Sequence, residues 1–359
     1  MAEAEAPARA HGARPLRVAC VGAGYFAAFH REAWREIDGV EVAAVIDRDL
    51  DRAEAARTGG ERAFRTLGEA LRAEAIDLVD VATPPSTHLE LIDEATGAGS
   101  AVICQKPFCG GLEGAERAVA LAESRGAPLV VHENFRFQPW WRRVRAEMVG
   151  GRIGEPYGVS FRLRPGDGQG PRAYLDRQPY FPSMERFLVH ETAVHLVDVF
   201  RFLLGEPEWV WADLRRLNPA IAGEDAGLIV LGFPGGVRAL FDGNRLADHR
   251  ARNCRLVMGE GLAEGAAGAI SLDGDGRLAF RAHGADEAEP LPLDFPADRF
   301  GGGCVRALQA HVVETLREGR PPENTGRAYL ANLRIVDTIY ASSETGGRVS
   351  LAEEAATAC

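Results

Sequence analysis

Of the 41 basic residues in this 359-residue chain, one is a lysine, Lys106; all the others are arginines. Arginine meets any demand for fixed positive charge, but it does not release its proton within a protein, whereas a buried lysine can. Lys106 is therefore a candidate for handling a proton, or for bringing a compact charge close to an oxygen. Glu191 and His195 stand four positions apart and share one face if their segment is helical. An imidazole titrates near neutrality and can take a proton from a hydroxyl. Each also has a plainer reading: one lysine can survive by chance in an arginine-rich sequence, and a helical histidine is more often a satisfied structural group. Placement decides.

The motifs around Lys106 place it beside a cofactor. Gly22-Ala23-Gly24-Tyr25-Phe26-Ala27 is a G-x-G-x-x-A run directly between an apolar strand at 16–21 and a helical pattern that continues to about 37. Glycine at 22 permits the tight turn, glycine at 24 lets the backbone approach a pyrophosphate, and small Ala27 lets helix and strand close up. The free N–H groups and positive dipole end of the helix, with Tyr25 and Phe26 in its first turn, then face the phosphates. A second extended run, 40–46, ends in Asp47, the acid expected about 20 residues on to accept from the adenosine ribose hydroxyls. Arg48 beside it could hold a 2′-phosphate, so the expected cofactor is NAD, with NADP as the alternative. Strands follow at 76–82 and 101–104. Thr83, Pro84 and His88 lie just past the first, Gln105 and Lys106 just past the second. In an open α/β sheet, ligands bind beyond the carboxyl ends of the strands. All five are expected cofactor contacts, and the lone lysine falls where the nicotinamide should lie.

These residues need a scaffold, and the periodicity supplies one. Helical patterns at about 49–58, 86–98 and 112–125 alternate with short apolar strands as far as 128–132, which predicts a doubly wound parallel sheet. After His132 the texture changes. A helix near 139–149 precedes a strand at 157–164, a loop rich in Gly, Pro and aromatics at 165–185, and a helix over 188–204 that would carry Glu191 and His195. Extended runs from 208 to 283, separated by Gly, Asp and Asn turns, predict a large, mostly antiparallel open sheet. Helices near 300–318 and 326–342 close the chain. The expectation is an α/β protein with a dinucleotide-binding Rossmann domain at 14–133 and an α+β substrate-binding and oligomerisation domain at 134–359. Residues 1–13 lack the apolar stretch of a signal peptide and read as a disordered leader.

Composition narrows the function. With 46% hydrophobic and 26% charged residues, the chain has a globular make-up. A net charge of −11, with the arginines scattered, argues against a nucleic-acid partner. No apolar run approaches the ~20 residues of a membrane span. The six cysteines show neither a C-x-x-C pair nor a metal-ligand spacing with histidine, a pattern of reduced thiols in a cytoplasmic protein with no metal site. Trp209, Trp211, Leu228, Val230 and Leu240 make the open sheet too apolar for water alone, which predicts a homo-oligomer, dimer or tetramer, built through it.

Together these segments resemble the Gfo/Idh/MocA oxidoreductase family over nearly the whole chain after the leader. The family's Rossmann fingerprint, TP-x-x-x-H turn, E-K-P motif and D-x-x-x-H helix are met by residues 22–27, Thr83-Pro84 with His88, Lys106-Pro107, and Glu191 with His195. Two positions depart. Gln105 replaces the glutamate of E-K-P, which removes a negative charge beside Lys106, and Glu191 is one methylene longer than the usual aspartate. The resemblance implies that Lys106, Glu191 and His195 surround a substrate hydroxyl. His195 would be the base, Lys106 would stabilise the developing alkoxide and relay the proton, and Glu191 would orient the ring or hold a hydroxyl. The shorter segments ICQKP (103–107), VHENFRFQP (131–139), MERFL (184–188) and IAGED (221–225) resemble sugar dehydrogenases of that family. They imply a small neutral aldose such as D-apiose as substrate, and the acidic net charge leans the same way. Asn134, Arg136 and Arg186 become candidate sugar contacts, with surface or domain-interface roles as the alternative. Two other functions stay open: an NAD-dependent glycoside hydrolase, and a non-catalytic dinucleotide-bound regulator, which would have no need of Lys106 and His195.

Overall fold

The computed structural model describes residues 14–175 and 180–351; the leader expected at 1–13 lies outside them. The described chain forms two units. One runs to Asn134 and includes Val305–Ala331; the other comprises Phe135–Cys304 and the residues from Asn332 on.

In the first unit, β1 (Leu16–Val21), β2 (Val40–Ile46), β3 (Arg62–Phe64), β4 (Leu78–Val81), β5 (Ala101–Gln105) and β6 (Leu129–His132) pair in the order β3-β2-β1-β4-β5-β6, all parallel. This order reverses direction between β1 and β4, which opens a crevice at their carboxyl ends. Val18, Val79 and Val102 have no solvent exposure, because helices cover both faces of a parallel sheet and make its strands apolar throughout. The helix α1 (Tyr25–Arg35) buries Ala27, His30, Arg31, Ala33 and Trp34, a stripe at the spacing of one helical face. The helices α2 (Leu50–Ala56), α3 (Leu67–Ala73), α4 (His88–Gly97) and α5 (Leu112–Ser124) complete the layers. Neither β3 nor α3 is announced by periodicity, since three and seven residues are too few to show it. The signal for α3 is in its cap, where Thr66 with Glu69 forms a capping box.

The second unit begins with α6 (Pro139–Val149) and β7 (Pro156–Leu163), and α7 (Val194–Leu204) lies further on. The sheet is completed by β8 (Trp209–Arg215), β9 (Ala226–Gly232), β10 (Arg238–Asn244), β11 (Gly259–Gly265), β12 (Gly268–Leu272), β13 (Leu278–Ala282), β14 (Glu289–Leu291) and β15 (Val349–Ser350). Its order is β14-β13-β12-β11-β7-β10-β9-β8-β15, antiparallel except where β7 meets β10. Val159, Phe161, Leu163, Ile229, Leu231, Ala239 and Phe241 bury one face. On the alternate positions Leu240 is exposed, and Trp209, Trp211, Leu228 and Val230 are partly so. The helix expected from 188 does not start as an α-helix. Residues Val189–Ala193 form a π-turn, in which the Val194 N–H reaches back five residues to the Val189 carbonyl, and α7 follows.

The chain also corrects the expected domain boundary. The sequence alone puts 134–359 in the second domain, but Val305–Ala331 returns to the first unit. This stretch takes in most of α8 (Cys304–Glu318) and the start of α9 (Gly326–Thr345). Thr325 bridges Val130, and the Val131 N–H donates to the Asn324 carbonyl at 2.9 Å. The returning segment thus covers the edge strand β6, whose groups would otherwise be open to another chain. Among the described residues, no helix is long and apolar enough to cross a membrane.

Candidate active site

The glycine turn between β1 and α1 has the shape that a dinucleotide needs. Gly22 adopts φ +106°, and a Cβ there would lie 2.5 Å from the Ala82 carbonyl oxygen, so only glycine serves. A Cβ on Gly24 would meet nothing within 4 Å, which leaves open space over the first turn of α1. That helix starts at Gly24 with no side-chain cap and no acid in its first turn, so its N–H groups are available to an anion. The Asp47 carboxylate accepts from the N–H groups of Ala23 (2.8 Å) and Asp49 (3.0 Å) and so lies across the glycine turn. Arg48 lies outside this pairing; its carbonyl accepts from Arg65. Tyr25 is exposed, and Phe26 sets its ring edge against His30 at 5.4 Å. Sequence reasoning missed Arg31, which is buried in α1 and donates to the Gly22 carbonyl at 2.9 Å. These residues fit a bound NAD.

Lys106 leaves β5 on a platform that is buried and polar. Its backbone N–H donates to Gln105 Oε1 (2.7 Å), which turns the Gln105 amide nitrogen toward His30 Nε2 (3.2 Å). An amide nitrogen only donates. His30 Nε2 therefore accepts, and the ring's proton sits on Nδ1, where it is donated to Asp80 at 2.9 Å. The Trp34 indole N–H donates to the same carboxylate at 2.6 Å, and His132 stacks on His30 with centroids 3.9 Å apart. A glutamate at 105, usual in this motif, would accept at both ends and require a doubly protonated His30. The glutamine thus sets the tautomer of a histidine that no motif flagged. The available hint was Asp80 itself, an acid inside the apolar strand LVDV.

The turn after β4 is held by His88. Its Nε2 donates to the Thr83 carbonyl (2.9 Å), and its Nδ1 accepts from the Cys109 N–H at 3.3 Å. Both ring nitrogens are thus engaged by backbone, and the ring ties the Thr83-Pro84 turn to the loop after Lys106-Pro107. Burial pushes the His88 imidazole below its ordinary value. Thr83 and Thr87 share a hydrogen bond at 2.7 Å. Past β6, Asn134 is 2% exposed, and its Oδ1 has no hydrogen-bond partner among the described residues.

In the second unit, Glu191 lies in the π-turn and His195 in the first turn of α7. His195 is buried and stacks on Phe135, with centroids 4.1 Å apart and planes within 9°. Glu224 holds the entrance to the turn: its Oε1 accepts from the N–H groups of Phe187 and Val189 at 3.1 Å each and from the Tyr340 hydroxyl at 2.6 Å. This burial beside a carboxylate drives the Tyr340 phenol well up. Two residues marked by sequence have partners of their own. Arg136 grips Asp198 through two bonds of 2.6 and 2.7 Å, and Asn332 donates to the same carboxylate at 2.8 Å. Arg186 is half exposed, pairs with Asp337 at 2.9 Å and lies over the Tyr340 ring.

A glycine cradle at the switch point of a six-stranded parallel sheet, followed by a unit with an open sheet, defines a dinucleotide-dependent oxidoreductase of two units. Comparison with known proteins agrees. The chain matches the family model described as an oxidoreductase family with NAD-binding Rossmann fold over residues 16–133, and the GFO/IDH/MocA C-terminal domain over 141–264. It is 37% identical to a D-apiose dehydrogenase of Paraburkholderia graminis, over 93% of this chain and 89% of that one. Identity to a D-apiose dehydrogenase of Rhizobium rhizogenes is 30%, over 94% and 97% of the two chains. Among solved structures, an oxidoreductase from Agrobacterium radiobacter in complex with NAD+, L-tartaric acid and magnesium matches with a TM-score of 0.85 at 28% identity, covering 94% of this chain and 99% of that one. The chain belongs to the Gfo/Idh/MocA oxidoreductase family, and its first unit is the NAD-binding domain.

Proposed function

We propose that this enzyme oxidises a hydroxyl of a small neutral aldose, D-apiose or a related pentose, with NAD. The observation that carries this reading is the sole lysine, held by Gln105 at the carboxyl end of β5 in a chain 37% identical to a D-apiose dehydrogenase. Gly22, Gly24 and the N-terminus of α1 hold the pyrophosphate, and Asp47 faces the ribose. When bound, NAD supplies the hydride acceptor. His195 takes the hydroxyl proton, with its ring plane set by Phe135. The Lys106 ammonium stabilises the alkoxide as it develops. Glu191 orients the imidazole or accepts from a second sugar hydroxyl, and the open Oδ1 of buried Asn134 suits a hydroxyl donor. The committed partners of Arg136 and Arg186 favour structural roles for both, and His88 shapes the Thr83-Pro84 turn that the cofactor meets. The open sheet face around Trp209, Trp211, Leu228, Val230 and Leu240 supports a homo-oligomer, and a monomeric mass in light scattering at micromolar concentration would refute it. The described cysteines are all free thiols, as suits a cytoplasmic enzyme.

A panel of free sugars, sugar phosphates and nucleotide-linked sugars incubated with NAD tests the substrate. Rising NADH absorbance with free pentoses is expected. Activity confined to phosphorylated or nucleotide-linked sugars would overturn it, and release of a leaving group with no net NADH would point to glycoside cleavage instead.

A further inference from the structure

Among the described residues of the second unit, the most deeply buried guanidinium bonds to the turn that carries Glu191. Arg245 follows β10 and is 3% exposed. Its Nε and Nη2 grip Asp167 at 3.1 and 2.5 Å, and its Nη1 donates to Thr192 Oγ1 at 2.9 Å. Thr192 is buried in the middle of the π-turn, directly after Glu191 and three residues before His195. The guanidinium packs against the rings of Tyr174 and Phe187, 5.0 and 4.8 Å from their centroids.

The loop that brings Asp167 is itself over-determined. The Gly168 N–H donates to the Arg245 carbonyl, and Asn218 Nδ2 donates to the carbonyls of Gly168 and Gly170. Tyr174 takes φ +71°, a left-handed conformation that an aromatic residue adopts only when its surroundings impose it. Asp167 and Glu191 both add to the field that keeps the guanidinium charged in spite of its burial. A π-turn gives up the regular hydrogen-bond ladder and recurs at functional sites. Here Glu224 secures its entrance, and Arg245 is the charged group bonded to its middle.

We propose that Arg245 is a positioning residue: paired with Asp167, it holds Thr192 and thereby sets the register at which the π-turn presents Glu191 and His195 to substrate. The proposal rests on the reading that these two residues act on the sugar. Arg245 works through Thr192, so the bond between them is the element to cut.

The test compares Thr192→Val, which keeps the shape and removes the acceptor, with Thr192→Ser, which keeps the acceptor, both in the full-length enzyme. In Thr192→Val, kcat should fall about tenfold or more, as catalytic groups slightly out of place cost that much or more, while the NAD dissociation constant stays within about twofold. The His195 ring resonances in NMR should move in Thr192→Val and stay near wild type in Thr192→Ser, which should also recover kcat. Arg245→Lys, losing the fork to Asp167, should repeat the kcat loss; if that variant does not fold, the Thr192 pair decides. A Thr192→Val enzyme with wild-type kcat and unmoved His195 resonances would overturn the proposal. If wild type oxidises no sugar, the substrate reading fails, and the resonances alone judge the positioning.

Discussion

The two units hold their candidate site groups by opposite means. In the first, Gly22, Asp47, Thr83, Gln105 and Lys106 sit in turns at the ends of strands, and the bonds that set them come mostly from the same turn or the next strand: Asp47 to Ala23, His88 to Thr83, Gln105 to Lys106. In the second, Glu191 and His195 ride on a turn whose shape depends on Asp167, Glu224, Arg245 and Tyr340, all from other elements and mostly buried. The difference teaches where chemistry and stability can be separated. Side chains on strand-end turns can be changed with little effect on the core behind them. A turn pinned by buried charges fails together with its pins.

The sharpest test of the first half of that contrast is Lys106→Arg. Arginine keeps the charge but cannot release a proton, so turnover should drop roughly 10²–10⁴-fold if proton transfer matters. Melting temperature and NAD affinity should barely change. Near-wild-type turnover would remove the lysine from the mechanism. The second half predicts the reverse coupling for Glu224→Leu, which strands two buried N–H groups and a phenol. Stability should fall by about 3 kcal/mol, read from denaturant unfolding, and turnover should fall with it. Glu224→Gln retains an acceptor oxygen and should recover much of both. A Leu variant as stable as wild type breaks the comparison.

Smaller effects sharpen it. NAD should bind more tightly than NADP in isothermal titration, by about tenfold, because a 2′-phosphate would meet the Asp47 carboxylate. Tighter NADP binding would hand the ribose end to Arg48. The least effect is expected from His88→Gln. Burial depresses the His88 imidazole below its ordinary 6.5, so at mildly acid pH the unfolded chain binds the extra proton. The stabilisation is complete above the unfolded value and is lost as pH falls through the depressed folded value. Between about pH 7.5 and pH 5, wild type should therefore lose slightly more melting temperature than His88→Gln. Equal losses would mean that the ring is not held neutral by the fold.

Much of this molecule was legible in sequence because its signals are local. Apolar runs of four to seven residues alternating with helical stripes announce the parallel sheet, and Gly22, Gly24, Ala27 and Asp47 announce the dinucleotide turn within a few dozen residues. Gly, Asp and Asn turns likewise mark the antiparallel sheet. Elements of three and seven residues, β3 and α3, fell below what periodicity can register. The return of Val305–Ala331 to the first unit was hidden for another reason: an amphipathic helix states that it has a partner, but not which sheet.

What tertiary structure alone decided are the pairings between distant polar groups. Asp80, His30 and Gln105 are spread over 75 positions of sequence, and their hydrogen bonds, once closed, assign the histidine's proton to Nδ1. Thr192 and Arg245 are 53 positions apart, and nothing in either neighbourhood states that they meet. Nor does the helical spacing of residues 188–204 reveal a π-turn, which one extra residue per turn creates without altering which side chains are apolar. Sequence determined the element types, the glycine cradle and the single lysine, since those follow from backbone sterics and residue chemistry at short range. Which buried charges face one another depends on how the completed layers pack, because desolvated groups must find partners wherever in the chain those partners lie.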